Sequence, residues 1–357
     1  MLCASGCGGS SEASATDEAS SASGETEQGS ATSMSSSTSS STSSLTSSSS
    51  TTGESTVSST ASSESSSSTT GESTAGSTVG STGTTDTSTG SGGDDDVATC
   101  PSPLPAEWIF CDDFESSLDF GDRYWESSND ASFHVIDTEA ASGSRSVEVR
   151  WEQGQIDAGG LKVAFGRNPA FYGSGMHYRP NEDFDEIYWR MRVKHQPGWP
   201  DIGPDKLSRA TMMVAKDWSQ GMIAHLWSQG VVLIGDPASC ITGGTVNCVG
   251  YNDFGQLDWL GWLVGVTEIF SSADSGQWRC VEGHVVLNTP GVSDGVFEFW
   301  IDGQAEAAAT DLDWRGTYTD YGINAVFFEN YWNAGATEEL RRYFDDLAIA
   351  TVPIGCD

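Results

Sequence analysis

From Cys100 to the end of the chain, apolar and polar residues alternate in short runs that Gly, Pro, Asn and Asp interrupt at intervals of about ten residues. Neighbouring side chains of a strand point to opposite faces, so this alternation marks strands with one face in a core. The clearest runs are 108–114, 146–151, 187–194, 222–227, 281–288, 296–302, 325–332 and 343–351. Helical periodicity is weak throughout. Many short strands separated by turn signals predict an all-β fold, a two-sheet β-sandwich or jelly roll, and 100–357 is an ordinary length for one such domain.

Residues 1–99 read differently. They contain 55 Ser or Thr and no Trp, Tyr or Phe. Such a stretch cannot bury enough apolar surface to offset the entropy of ordering, and is expected to be a disordered Ser/Thr-rich linker. TTGEST occurs at 51–56 and again at 69–74, but the unit has no apolar face and reads as slipped low-complexity sequence. A coil of this composition reaches roughly 50 Å and suits a tether or stalk. The stretch from Met1 to Gly9 lacks the basic and apolar regions of a signal peptide. Ala4-Ser5-Gly6-Cys7 nevertheless resembles the lipobox of bacterial lipoproteins. That resemblance implies a start further upstream, a lipid on Cys7, and a location on the bacterial cell surface or outer membrane.

Charge is as uneven as composition. Residues 1–99 hold 12 of the 51 acidic residues and none of the 16 basic ones, which leaves a net charge of −23 on residues 100–357. A surface this acidic repels phosphate, so nucleic acid is excluded as a partner. No apolar run approaches the roughly 18 residues of a spanning helix, so membrane contact is expected only through lipid on Cys7. Walker, GxGxxG and HExxH motifs are absent, and a monomer is expected. The six cysteines after residue 99 imply disulfides if the chain is exported. Cys240 and Cys248 flank a Gly-containing loop and are the favoured pair. Zinc has no CxxC or Cys/His cluster to bind.

Parity assigns faces within the strands. Glu282, His284 and Asn288 point away from Val281, Val285 and Leu287, and Glu298, Trp300 and Asp302 away from Phe297, Phe299 and Ile301. The turn residues of 289–295 make these two strands hairpin neighbours, which would align their polar and aromatic faces. Arg190, Arg192 and Lys194 oppose Trp189, Met191 and Val193, while Ile223, His225 and Trp227 fall together. Arg190, Arg192, Lys194, Lys206 and Arg209 place five of the 16 basic residues within 20 positions. A face combining Trp227 and Trp300 with Glu282, His284 and Asn288 is expected to bind glycans, the indoles stacking on sugar rings and the polar groups bonding hydroxyls.

Three segments resemble the concanavalin A-like jelly rolls of bacterial polysaccharide lyases, particularly the alginate and glucuronan lyase-like families. They are Ile187-Tyr188-Trp189-Arg190-Met191-Arg192-Val193-Lys194; Trp278 to Asn288 leading into Phe297-Glu298-Phe299-Trp300-Ile301; and Glu329-Asn330-Tyr331-Trp332-Asn333 followed by Arg342-Tyr343-Phe344-Asp345-Asp346. The resemblance implies β-elimination on a uronate-containing polysaccharide. Such a reaction needs the carboxylate charge masked, a base at C5 and an acid at the leaving oxygen. The positions matching that pattern are His225 or Lys206 for the base and Tyr331 for the acid; the basic cluster offers Arg190 for the carboxylate, and Arg192, Trp227, Glu282, His284, Asn288, Glu298, Trp300 and Asn333 are expected to contact sugar. The same resemblance places a structural calcium at Asp345. Two alternatives stay open. A lectin-like or adhesive module would use the Trp-bearing face without a base, and a glycoside hydrolase would need a carboxylate pair, for which Glu282 and Glu298 are the candidates.

Overall fold

The computed structural model describes residues 100–128, 130–170 and 175–356; the linker expected over 1–99, Cys7 included, lies outside them. Among the described residues there is no α-helix, only a short 3-10 turn at Phe120–Asp122. The strands of four or more residues are β1 (Trp108–Asp112), β2 (Phe133–Ile136), β3 (Ser146–Trp151), β4 (Asp157–Phe165), β5 (Glu186–His195), β6 (Lys206–Met213), β7 (Gln220–Gln229), β8 (Val232–Ser239), β9 (Trp278–Val286), β10 (Gly295–Ile301), β11 (Gln304–Leu312), β12 (Ala325–Tyr331) and β13 (Leu340–Ala350).

They pair into two large sheets. An eight-stranded sheet runs β11-β10-β9-β5-β13-β3-β2, with β1 added along β13. A nine-stranded sheet runs from the two-residue strand Asp258–Trp259 through β8-β7-β6-β12-β4 to Glu126–Ser127, with Leu263–Val264 also pairing on β8 and His177–Tyr178 on β4. This is the two-sheet sandwich that the alternation predicts. The hairpin of β9 and β10 forms in the expected register, Glu282 opposite Trp300 and His284 opposite Glu298.

The core lies between the sheets. Trp151, Trp189, Phe297 and Phe299 from one side meet Leu207, Leu226, Leu233 and Phe328 from the other, all buried. Trp189 crosses the layer and its Nε1 donates to Ser208 Oγ at 3.0 Å, so its one polar atom is satisfied where water cannot reach. Its indole lies over Gly283 of β9, where a Cβ would sit 2.4 Å from the ring. A glycine in mid-strand is what that close approach requires.

Three disulfides form: Cys240–Cys248, as the loop between them predicts, with Cys100–Cys111 and Cys280–Cys356. The last of these fastens the C-terminal segment across the outer face of the eight-stranded sheet. Glu282 accepts from the backbone N–H groups of Ile354 (2.8 Å) and Gly355 (3.0 Å). Arg190 and Arg192 donate to the carbonyls of Gly355 and Cys356 at 3.2 and 3.0 Å, and Arg192 also pairs with Asp346 at 3.0 Å.

Candidate functional site

Cross-strand register assembles a polar face on the outside of the nine-stranded sheet. Asp236 of β8 lies opposite His225 of β7, His225 opposite Arg209 of β6, Arg209 opposite Phe327 of β12, and Phe327 opposite Lys162 of β4. One step along, Trp227 lies opposite Lys206. A bulge makes this possible. Between Lys206 and Ser208 the register of β6 against β7 slips by one residue, so Lys206 and Arg209 share a face although three positions separate them. Above this floor opens a cleft of about 350 Å³, walled by Lys206, Glu329, Tyr331, Asn333, Tyr251 and Lys162.

The Lys206 ammonium stands over the Tyr331 ring, 4.5 Å from its centroid, with the Trp227 ring 5.9 Å away. Burial is the main reason its pKa is lowered, and the Arg209 charge adds to this, while Glu329, Asp157 and Asp205 act the other way. Arg209 is only 1% exposed. It donates to Glu329 at 2.8 Å, to Asn252 at 2.9 Å and to the Tyr251 hydroxyl at 2.5 Å, so its charge is fixed in the floor and is not free to grip a ligand. His225 is buried, and that burial, with the charges of Arg209 and Lys206, holds it well below the usual range and therefore neutral. Its Nε2 lies 3.6 Å from Glu329 Oε2, too far for a hydrogen bond, and with a neutral ring the contact is not an ion pair. The ring packs edge-on against Trp227.

Arg342 supports the site from behind. It is buried on β13 of the opposite sheet and passes between the rings of Trp151 and Phe344. It donates to the carbonyls of Lys206 (3.2 Å) and Glu329 (2.9 Å) and to Asn330 Oδ1. Burial alone lowers its pKa to about 9, because no carboxylate accompanies it.

Of the residues singled out from the sequence, Lys206, Tyr331 and Asn333 line the cleft, while His225 and Trp227 share its sheet face on the neighbouring strand without lining it. The rest belong elsewhere. Arg190, Arg192, Glu282, His284, Glu298 and Trp300 sit on β5, β9 and β10 of the eight-stranded sheet, so Trp227 and Trp300 do not share a face. Parity separates the two faces of one strand but not the two sheets, and the five-residue basic cluster is split between them. Arg190, Arg192 and Glu282 hold the C-terminal segment, as described above. His284 bonds Glu186 at 2.9 Å and Glu298 at 2.8 Å under the stacked Tyr188 ring, while Glu282 holds the C-terminal segment, so each of these carboxylates already has its own partner. Asn288 is buried beyond the end of β9 and fixes a turn by accepting from Arg315 N at 2.9 Å.

Asp345 does not fit a calcium ion. Its carboxylate is surrounded by donors, the backbone N–H groups of Ala141 (2.7 Å), Ser142 (3.3 Å) and Asp346 (2.8 Å), where Ca²⁺ would need oxygens. The described residues contain no group of three His, Cys, Asp or Glu side chains suited to a metal.

The sequence reading missed several cleft residues. Glu329 shares the parity of Tyr331 two positions on and could have been found by the alternation already used. Lys162 lies in β4, whose Gly159-Gly160 pair hides the strand pattern. Tyr251, Asn252 and Phe254 come from a loop and carry no periodic signal.

No family model and no curated protein sequence matches the chain. Similar solved structures include an alginate lyase from Aplysia kurodai (16% identity over 63% of this chain and 89% of that one, TM-score 0.40). A glucuronan lyase from Trichoderma reesei shows 12% identity, with 69% and 92% coverage and a TM-score of 0.41. The alginate lyase vAL-1 from a Chlorella virus shows 12% identity, 62% and 93% coverage and a TM-score of 0.42.

Proposed function

We propose that the protein is a carbohydrate-active enzyme, a lyase that cleaves a uronate-containing polysaccharide by β-elimination in the cleft of the nine-stranded sheet. One observation carries this reading: an amine of lowered pKa, Lys206, stands over a tyrosine ring, 4.5 Å from its centroid, in the wall of a cleft, with the Arg209 guanidinium buried beneath Tyr251 and Asn252 of the opposite wall. In the uncharged form, the Lys206 amine takes the C5 proton. The electron pair left at C5 forms the C4–C5 double bond as the C4–O4 bond breaks, and the Tyr331 hydroxyl gives its proton to the departing O4. Proton return from Lys206 to the Tyr331 oxygen restores both groups, so a turnover consumes no proton.

Arg209, with Lys162 two strands away, supplies positive potential near the uronate carboxylate, the role expected of Arg190. His225 serves as an uncharged floor and not as the base. Its burial on β7 keeps it off the walls of the cleft. Residues 1–99 tether the domain to a bacterial surface through lipid on Cys7, which puts its work outside the cytoplasm.

The test is incubation with alginate, glucuronan, heparin and pectate, following the ultraviolet absorbance of the unsaturated uronate. Lys206→Ala and Tyr331→Phe are each expected to cut the rate by about 10² or more while leaving circular dichroism and melting unchanged. Binding without absorbance on any polymer would make the protein a lectin. New reducing ends without absorbance would make it a hydrolase.

A further inference from the structure

On the same sheet face as the cleft, an aromatic shelf lies at the β8 edge of the nine-stranded sheet. Val264 pairs with Ile234, and Ile234 with Trp227, so these three share the cleft face. Trp262, two residues before Val264, has the same parity and donates its indole N–H to Gln229 Oε1 at 3.2 Å, beyond Trp227 on β7. Trp259 pairs with Ala238, and Ala238 with Ile223, which puts it on this face as well. Trp259 is 55% exposed, Trp262 53% and Val264 47%. Two Trp side chains left in water on one edge amount to an apolar patch with a purpose.

The charges around the shelf and cleft say what kind of chain would lie there. The shelf residues include no cation, and the ionisable groups placed beside them are acids, Asp236 on the same face of β8 and Glu306, which accepts from the backbone of Val266 and Thr267. In the cleft, Lys162, Lys206 and Arg209 are answered by Glu126, Asp157, Asp205 and Glu329. The whole domain carries −23. A polymer with a carboxylate on every sugar would lay anions against indoles that offer no counter-charge, and would lose their hydration there. A neutral pyranose can stack its C–H face on an indole without that cost.

We infer that this site takes a heteropolysaccharide in which single uronates are spaced by neutral sugars, the neutral residues lying on Trp259 and Trp262 and one uronate in the cleft. The inference rests on the cleft being the glycan site proposed above, but not on its being catalytic.

Affinity electrophoresis of the full chain tests it. The gels contain either heteropolymers (deacylated gellan, glucuronoxylan, xanthan) or homopolyuronates (polymannuronate, polyglucuronate). Retardation by at least one heteropolymer is expected. Trp262→Ala and Trp259→Ala should each weaken it about tenfold, and Trp262→Phe should restore it. Homopolyuronates should bind more weakly, and their binding should rise with salt as repulsion is screened. Stronger retention by homopolyuronates at low salt, with the Trp variants unchanged, overturns the inference and leaves the lyase reading intact. Shelf-dependent retention of a heteropolymer that yields no unsaturated product supports the inference and overturns the lyase reading. Absence of retention on every polymer overturns the inference, as does Trp262-dependent binding to phosphatidylcholine vesicles in place of glycan.

Discussion

An amine that removes a proton from carbon acts only when uncharged, so what surrounds Lys206 decides when the cleft can work. Burial and Arg209 lower its pKa, and Glu329 is the largest influence in the opposite direction. The rate of elimination should therefore rise with pH, along a limb lying below the range of an ordinary lysine. Replacing Glu329 by Gln removes the charge that supports the ammonium form but keeps an acceptor for Arg209. The pH–rate limb of Glu329→Gln is expected to move to lower pH, and a shift to higher pH would remove Lys206 from the role of base. His225 shows how a residue type can mislead. A histidine beside a tryptophan on a strand looks catalytic in sequence, yet its position opposite Arg209 turns it into a neutral spacer.

Elements were legible where one face of a strand is wet. Strands β3 and β10 follow from alternation because their outer residues are half-exposed, and β9 because its outer Glu282 meets the C-terminal segment; β13 is buried on both faces and was legible from its aromatic and apolar run instead. β6 gave no such signal, since all eight of its residues are buried, the outward ones under loop residues such as Tyr251 and Asn252. Its bulge was equally hidden, because register depends on the partner strand and no local pattern records it. Lys206 and Arg209 were visible as basic residues. That they share a cleft with Tyr331, and that Arg190 does not, is a fact of sheet topology. Arg342 ties the two layers together at this point. Arg342→Met keeps much of the volume but leaves the Lys206 and Glu329 carbonyls and Asn330 without their donor. A loss of about 3 kcal/mol in chemical denaturation is expected, with kcat falling more than KM because β6 and β12 lose their common anchor. A variant as stable and active as wild type would show that packing alone sets the cleft.

Taken whole, the folded domain is a strongly acidic body with some acids held in dry places. Burial pushes Asp236 up to about 6, and burial with the neighbouring Asp346 charge pushes Asp345 up to about 8. An exposed aspartate in the unfolded chain titrates near 4. Between that value and the folded one the native state binds the extra proton. The associated stability is therefore complete below about pH 4 and is lost as pH rises through the folded value. For Asp236 the window is roughly pH 4 to 6, and the effect is on the order of 3 kcal/mol at most. Asp236→Asn, which cannot ionise, should gain in melting temperature relative to wild type as pH rises through that window, with the gain constant above it. A difference independent of pH would mean that Asp236 is hydrated in the native state.

The C-terminal segment held by Cys280–Cys356, Glu282, Arg190 and Arg192 acts as a ligand the protein carries for itself. Its amides satisfy a carboxylate and its carbonyls satisfy two guanidiniums, at the high effective concentration that a covalent link confers. Reduction breaks that link and opens a loop spanning 76 residues, which in the chain-entropy picture is worth roughly 4 kcal/mol. Self-occupancy then becomes an equilibrium, and the guanidiniums of Arg190 and Arg192 become available to anions from outside. Cys356→Ser, or a chain ended before Ile354, should bind sulfate or a short oligouronate on the eight-stranded sheet in titration calorimetry, where the oxidised wild type does not. In the oxidised domain the patch of Glu282, Arg190 and Arg192 is thus already taken by the C-terminal segment.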